Sequence, residues 1–302
     1  MKKGLTVSVI FKAQSLNYGE GFGNISELKK VSRGDGNQYT VASRQCIRYD
    51  IVRLGEEIFN WNLQVVDKSK GTVQFKDELT IADSQEMDLF GYMKTGKKTD
   101  NSKGGSDTRS AVIKLSNAIS LEPYRSDMDF LTNKGLADRI NEHPNLANVE
   151  QHLSYYTYTF TIDLSRVGVD GEIEIENEEK CKRVLEFLEI VKILNRNIRG
   201  RQENLSPVFA IGGIYDIANP YFLGRIKLNS SKEGFKIDTK VIDDVLESTF
   251  LGNNIKDDTY VGINEGCFVN KNKFEEKLGD RVLGVNSFFD NLIKSVKEYY
   301  GV

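Results

Sequence analysis

The residues of this chain with the clearest chemical potential are cations placed to hold phosphate. Arg44 and Arg48 stand one helical turn apart, directly behind Ser43, a residue type that caps helix starts. A helix beginning at Ser43 offers free backbone N–H groups, and Arg44 with Gln45 in its first turn would reinforce anion binding there. A second cluster lies further on: Lys192, Arg196, Arg199 and Arg201 fall in a stretch, residues 192–201, that contains no acid. Each cluster also has a plain reading. Arg44 and Arg48 fit a solvated helix face, and bases near a helix C-terminus complement its dipole. A loop over residues 13–40, rich in Gly, Asn and Ser, follows Lys12 and has the length of a functional connection.

Other chemistries find no support. There is no G-x-S-x-G, H-E-x-x-H, G-x-x-x-x-G-K-[ST] or G-x-G-x-x-G behind a strand. His143 and His152 are too few and too far from cysteine for zinc, so neither a metal nor a cofactor is expected. Tyr18-Gly19-Glu20-Gly21-Phe22-Gly23-Asn24 matches no phosphate cradle and reads as a flexible turn; Asp35-Gly36 is turn chemistry. Cys46, Cys181 and Cys267 are sparse and odd in number, which fits a reducing, cytoplasmic setting. No apolar run approaches the ~20 residues of a membrane span, and Met1-Lys2-Lys3-Gly4 opens onto a strand, not a signal peptide.

The elements that must position these cations come from periodicity. Leu5, Val7, Val9 and Phe11 alternate with Thr6, Ser8, Ile10 and Lys12, a half-buried strand. A helix over Ser43–Phe59 buries Cys46 or Ile47, Ile51, Leu54 and Ile58. Short strands surround Lys70-Gly71, a short helix covers residues 83–93, and a mobile polar loop carries Lys94, Lys97, Lys98 and Lys103. Ile113, Leu115, Ile119 and Leu121 form a second strand. The stretch Glu122–His152 interrupts the pattern, and Tyr155–Leu164 is the best strand in the chain. The two strands read as a hairpin whose tip has grown into a projection. A long helix then runs to about Ile198 over Val184, Phe187, Leu188, Val191, Leu194 and Ile198. Strands begin at Val208 and cover 222–228; Thr239–Phe250 and Val285–Tyr299 are amphipathic helices.

The resulting β-α-β-β-α-β order is α+β, the ferredoxin-like plan shared with RNA-recognition domains, with extra helices, in a single domain over residues 1–302. The aromatic K/R-G-F/Y-G/A-F-V-x-F/Y strand that stacks bases in RNA-recognition modules is absent. Tyr156, Tyr158 and Phe160 share one face and read as core, so any RNA would be held by backbone and shape.

Composition sets the frame. In 302 residues, 41 Lys plus Arg face 44 Asp plus Glu, a net charge of -3. That excludes a protein that coats nucleic acid by bulk charge. The 39% hydrophobic content and 4 Pro exclude a disordered chain. The signs are sorted: Asp163–Glu179 carries seven acids and one base, Arg166.

Leu5–Tyr18, Val41–Ile51 with its Ser43-Arg44-Gln45 start, Asp88-Leu89-Phe90-Gly91-Tyr92-Met93 and the Thr-rich Tyr155–Leu164 strand together resemble the CRISPR-associated backbone subunit of type I Cascade complexes, in its DevR-type branch. The resemblance runs over nearly the whole chain. It implies an RNA-recognition-like palm with an inserted finger near 60–106 and a thumb near 122–152. It implies copies that polymerise head to tail along CRISPR guide RNA, alongside other Cascade subunits, and display bases to target DNA. On that pattern Ser43, Arg44, Gln45 and Arg48 contact phosphates in the palm. Lys12, Gln14 and Asn17 sit at the binding loop, Arg125 at the thumb base, and Arg196, Arg199 and Arg201 flank the palm. Lys94, Lys97, Lys98 and Lys103 lie near target DNA. The acidic segment could meet a neighbouring copy. The implied role is non-catalytic. Its alternatives are a metal-dependent RNA-cleaving subunit using Asp35 and a stand-alone RNA- or DNA-binding autoregulator.

Overall fold

A computed structural model describes residues 3–19, 21–68, 71–95 and 106–302. The alternation in the first strand and in the Tyr-rich strand builds the centre of a nine-stranded sheet. Its strands are β1 (Gly4–Gln14), β2 (Lys30–Ser32), β3 (Gln38–Ala42), β4 (Ile113–Leu115), β5 (Ala118–Ser120), β6 (Leu153–Asp163), β7 (Phe209–Tyr215), β8 (Tyr260–Ile263) and β9 (Val282–Leu283). They lie in the order β9-β8-β7-β1-β6-β5-β3-β2, with β4 also paired to β6. The central pairs are antiparallel, with Val7 opposite Phe160 on one side and Gly212 on the other.

Three helices, α1 (Arg44–Phe59), α2 (Asn177–Lys192) and α3 (Val285–Tyr300), cover one face of this sheet. Their stripes pack on Leu5, Val7, Val9 and Phe11 and on Tyr156, Tyr158 and Phe160, with the Phe160 and Phe187 rings edge to face at 5.1 Å. The Tyr156–Phe160 face is therefore core, as its alternation indicates. The other face is covered too. Ile10, Tyr155, Phe209 and Ile211 join Phe222, Ile226, Ile242, Phe268 and Phe274 in a second core. The first strand is consequently buried on both faces from Gly4 to Phe11, and only Lys12 stands exposed; this corrects the half-buried expectation.

Three further expectations change. Ile58 is exposed, because the turn after it puts Trp61 onto Gly55 and completes the α1 stripe there. The long helix ends at Lys192; Asn195–Ile198 and Arg201–Asn204 form an antiparallel hairpin instead. Residues 222–225 are a turn, and the strand in that region is Leu228–Ser231, paired with Gly234–Ile237.

Between β5 and β6 the chain builds a projection. Met128–Thr132 pairs with Leu146–Glu150, and Ile25–Ser26 from the long loop adds a parallel third strand. Before β4, Tyr92–Thr95 pairs with Ser106–Arg109. Lys97, Lys98 and Lys103 lie outside the described residues.

Candidate nucleic-acid interface

The α1 start is built as its sequence dictates. Ser43 is the N-cap, in extended conformation, and its Oγ accepts from the Cys46 N–H at 3.3 Å. The Arg44 N–H is also taken, donating to Asn117 Oδ1 at 2.9 Å. The expectation of a free ring of N–H donors is corrected: the caps that stabilise the helix occupy two of them. What the helix start presents is side chains, with Arg44 and Gln45 exposed. Arg48 is partly neutralised, its Nη2 2.7 Å from Glu86 Oε1, and its guanidinium lies 5.1 Å from the Phe90 ring centre.

The loop leaving β1 joins this helix start to the distant hairpin. Asn17 packs on Ser43, its side-chain oxygen accepting from the Ser43 N–H at 3.1 Å. Arg199, at the hairpin tip, lies over the Tyr18 ring at 4.3 Å. Arg201 Nη1 donates to Gln14 Oε1 at 3.3 Å, and Gln14 Nε2 donates to Gln151 at the foot of the projection. Lys12 stands over the Tyr155 ring at 5.7 Å. Lys12, Gln14, Asn17, Ser43, Arg44, Gln45, Arg199 and Arg201 thus fall on one connected surface, although its ends are far apart in sequence.

Other expected contacts are placed differently. Arg196 points inward: its Nε donates to Leu16 O at 2.7 Å and its Nη1 lies 2.8 Å from Asp50 Oδ2. Burial raises the Asp50 carboxyl above its usual range, against the pull of Arg196 and Arg53. Burial also pushes the Cys46 thiol up to about 11, which makes it a packing residue and no nucleophile. Arg196 is therefore a buried-pair partner. Arg196→Ala is expected to cost ~2–3 kcal/mol of stability, read by urea unfolding, because Asp50 loses its main counter-charge. RNA affinity per folded molecule should stay within about twofold.

Lys94 is a second correction. It is 7% exposed, and its Nζ donates to Leu79 O at 2.5 Å and Asp77 O at 3.3 Å, so it is no mobile cation. Strand alternation turns it inward. Arg125 is exposed at the rim of a 660 Å³ cavity between the projection and the Leu228–Ile237 hairpin. Asp35 is engaged as a turn residue: Oδ2 accepts from the Tyr39 hydroxyl at 2.6 Å and Oδ1 from the Asn37 N–H at 3.0 Å. The Tyr39 hydroxyl, then the Asn37 N–H, holds its carboxyl below the usual range. Among the described residues no group of three or more His, Cys, Asp or Glu side chains is placed to hold a metal ion. No helix among them is long and apolar enough to cross a membrane.

Sequence reasoning missed Asn117 and Tyr18. Nothing local to Asn117 indicates that it caps a helix start 73 residues earlier. Tyr18 was hidden in a glycine-rich turn.

Comparison with known proteins adds relatives. Residues 5–222 match the family model described as CRISPR-associated negative auto-regulator DevR/Csa2. A CRISPR-associated protein Cas7/Cst2/DevR from Myxococcus xanthus (strain DK1622) is 30% identical over 155 residues, 47% of this chain and 51% of that relative. The match thus spans about half the length of the curated relative. Two solved chains share the fold at 12% identity. One, from a CRISPR RNA-guided surveillance complex, pre-nicking, has a TM-score of 0.54 over 97% of this chain and 100% of its own. The other, from a CRISPR RNA-guided surveillance complex, has a TM-score of 0.56 over 97% of this chain and 99% of its own.

Proposed function

The chain belongs to the CRISPR-associated DevR/Csa2 family, and on that premise we propose that it is a non-catalytic guide-RNA-binding subunit. Copies of it line up head to tail along CRISPR RNA, with other Cascade subunits, as the backbone of a type I surveillance complex that lets the guide pair with target DNA. The single observation that carries this reading is the convergence of the β1 exit loop, the α1 start and the Arg199–Arg201 hairpin into one surface with exposed Lys12, Arg44, Gln45 and Arg199. Such a surface grips a sugar-phosphate backbone without reading bases, the division of labour in which pairing supplies sequence and protein supplies shape.

The fold supports the reading in its parts. The four central strands β7-β1-β6-β5 stand in the order fourth, first, third, second of a ferredoxin-like palm. The segment 122–152 serves as thumb and 60–106 as finger. The second core over Ile10 and Tyr155 closes the sheet face on which RNA-recognition modules stack bases, which favours the loop end of the palm as the guide path. Asp35, held by Tyr39 and Asn37, takes no part in cleavage.

A second reading, a stand-alone autoregulator, has the family model's own description in its favour. One experiment separates them. The protein is mixed with guide RNAs of increasing length and its stoichiometry measured by native mass spectrometry. A backbone subunit adds copies in steps as the guide lengthens. A fixed monomer or dimer on every length would overturn the proposal.

A further inference from the structure

We infer that the protein carries a second phosphate-binding track at the root of the finger, which takes the backbone of the strand paired to the guide; this rests on the reading above. The track is two adjoining grooves. One, of 310 Å³, is lined by Arg44, Arg48 and Lys114. The other, of 260 Å³, is lined by Lys3, Lys114 and Arg166, with Asp163 as its acid. Lys114 lines both, so they form one path along the edge of β4. Five bases face one acid there, in a chain whose acids outnumber its bases by 44 to 41.

The state of these cations points to a ligand. Among the described residues, Lys3, Arg44, Lys114 and Arg166 have no carboxylate within 4.0 Å, whereas Arg48 is paired with Glu86. Arg166 is held in place through Nη2 to Ser110 O at 3.1 Å. Unpaired cations gathered in a concave site repel one another unless an anion lies among them, and one flexible anion that reaches all of them is a polynucleotide backbone.

The track meets the guide surface at one end and runs away from it. Lys3 precedes β1 and Gln14 ends it, so ~11 residues at ~3.3 Å each set them roughly 35 Å apart. Arg44 stands where the two surfaces meet. A strand paired to a guide that is held at the loop end has its own phosphates displaced to one side, which is what a parallel track of this kind serves.

The test uses Lys3→Ala/Lys114→Ala, two exposed side chains outside the guide surface, against Lys273→Ala/Lys294→Ala, which removes the same charge elsewhere. Guide RNA is loaded first, and binding of complementary single-stranded DNA is followed by fluorescence anisotropy over a salt series. The groove variant should load guide RNA as the wild type does but bind the DNA ~10-fold more weakly. Its salt slope should fall by about 1.5, at ~0.7–0.9 for each phosphate no longer neutralised. The control pair should match the wild type. Weakened RNA loading would assign the groove to the guide and overturn the inference, as would unchanged DNA binding. Failure of the wild-type protein to load RNA would instead sink the guide-binding reading itself.

Discussion

Asp88→Ala is expected to destabilise the protein by ~3–5 kcal/mol, the cost of stranding buried charges. Asp88 is fully buried, and its carboxylate is the hub that joins the segments carrying Arg109, Gly168 and Arg183. Oδ1 accepts from Arg109 Nη2 at 2.6 Å, Oδ2 from Arg183 Nη1 at 2.9 Å, and both from the Gly168 N–H at 3.0 Å. Arg109 and Arg183 are each 2% exposed at the side chain, so removing the carboxylate leaves two guanidiniums out of water with no buried counter-charge between them. Their remaining bonds go to carbonyls, Arg109 to Val169 O and Arg166 O and Arg183 to Ile81 O, and to two carboxylates nearer the surface, Asp170 at 3.4 Å from Arg109 and Glu179 at 2.9 Å from Arg183. Carbonyl dipoles and these partly exposed acids replace a fully buried carboxylate only in part. Asp88→Asn should cost less, since an amide keeps one acceptor. Urea unfolding of both variants, with slopes compared to the wild type, measures the effect. A loss under about 1 kcal/mol for Asp88→Ala would mean that the arginines reach solvent and the hub is not closed.

That hub explains a segment whose role was not readable beforehand. Asp88-Leu89-Phe90-Gly91 stood out in the sequence as a mark of resemblance only. In the fold each member has a physical task. Asp88 is the buried acceptor, Leu89 and Phe90 enter the core, and Gly91 adopts φ 73 where a Cβ would lie 2.3 Å from Arg109 O. The partners sit 21 and 95 positions away, distances at which no local pattern carries information. Periodicity was more generous. The Tyr-rich strand and the α1 start were legible because alternation and an N-cap are local signals. The end of α2 was not, since Leu194 and Ile198 continue a spacing of four. The chain instead turns through Arg199 and Gly200, with φ 49 and 74, the two-residue geometry of a hairpin. Arg-Gly is a weaker turn signal than Asn-Gly, and the helical reading of the three arginines followed from missing it. Lys94 failed for the opposite reason: lysines in a polar stretch read as solvent-facing, and only the strand pairing turns this one inward.

The distinction between cations that hold the fold and cations that face outward leads to the largest expected effect on binding. The triple variant Lys12→Ala/Arg44→Ala/Arg199→Ala should bind guide RNA ~10²–10³-fold more weakly. Removing one charge-assisted bond to phosphate costs roughly 1–1.5 kcal/mol of binding free energy. The three cations come from β1, α1 and the hairpin, so they test the connected surface as a whole and not one cluster. Lys12 and Arg44 have no carboxylate partner among the described residues, and Arg199 is exposed over the Tyr18 ring. None is a buried counter-charge, so the melting temperature should hold within a few degrees, in contrast to Arg196→Ala. The loss should be the same for guides of different sequence, because the cations meet the backbone. The slope of log affinity against log salt should shrink by about 2, at ~0.7 per single-strand phosphate. Filter binding at several salt concentrations with two unrelated guides yields all of these quantities. A loss confined to one guide sequence would mean that bases are read here. Unchanged affinity with both would place the guide on another face and leave the convergence of these three segments a matter of packing alone.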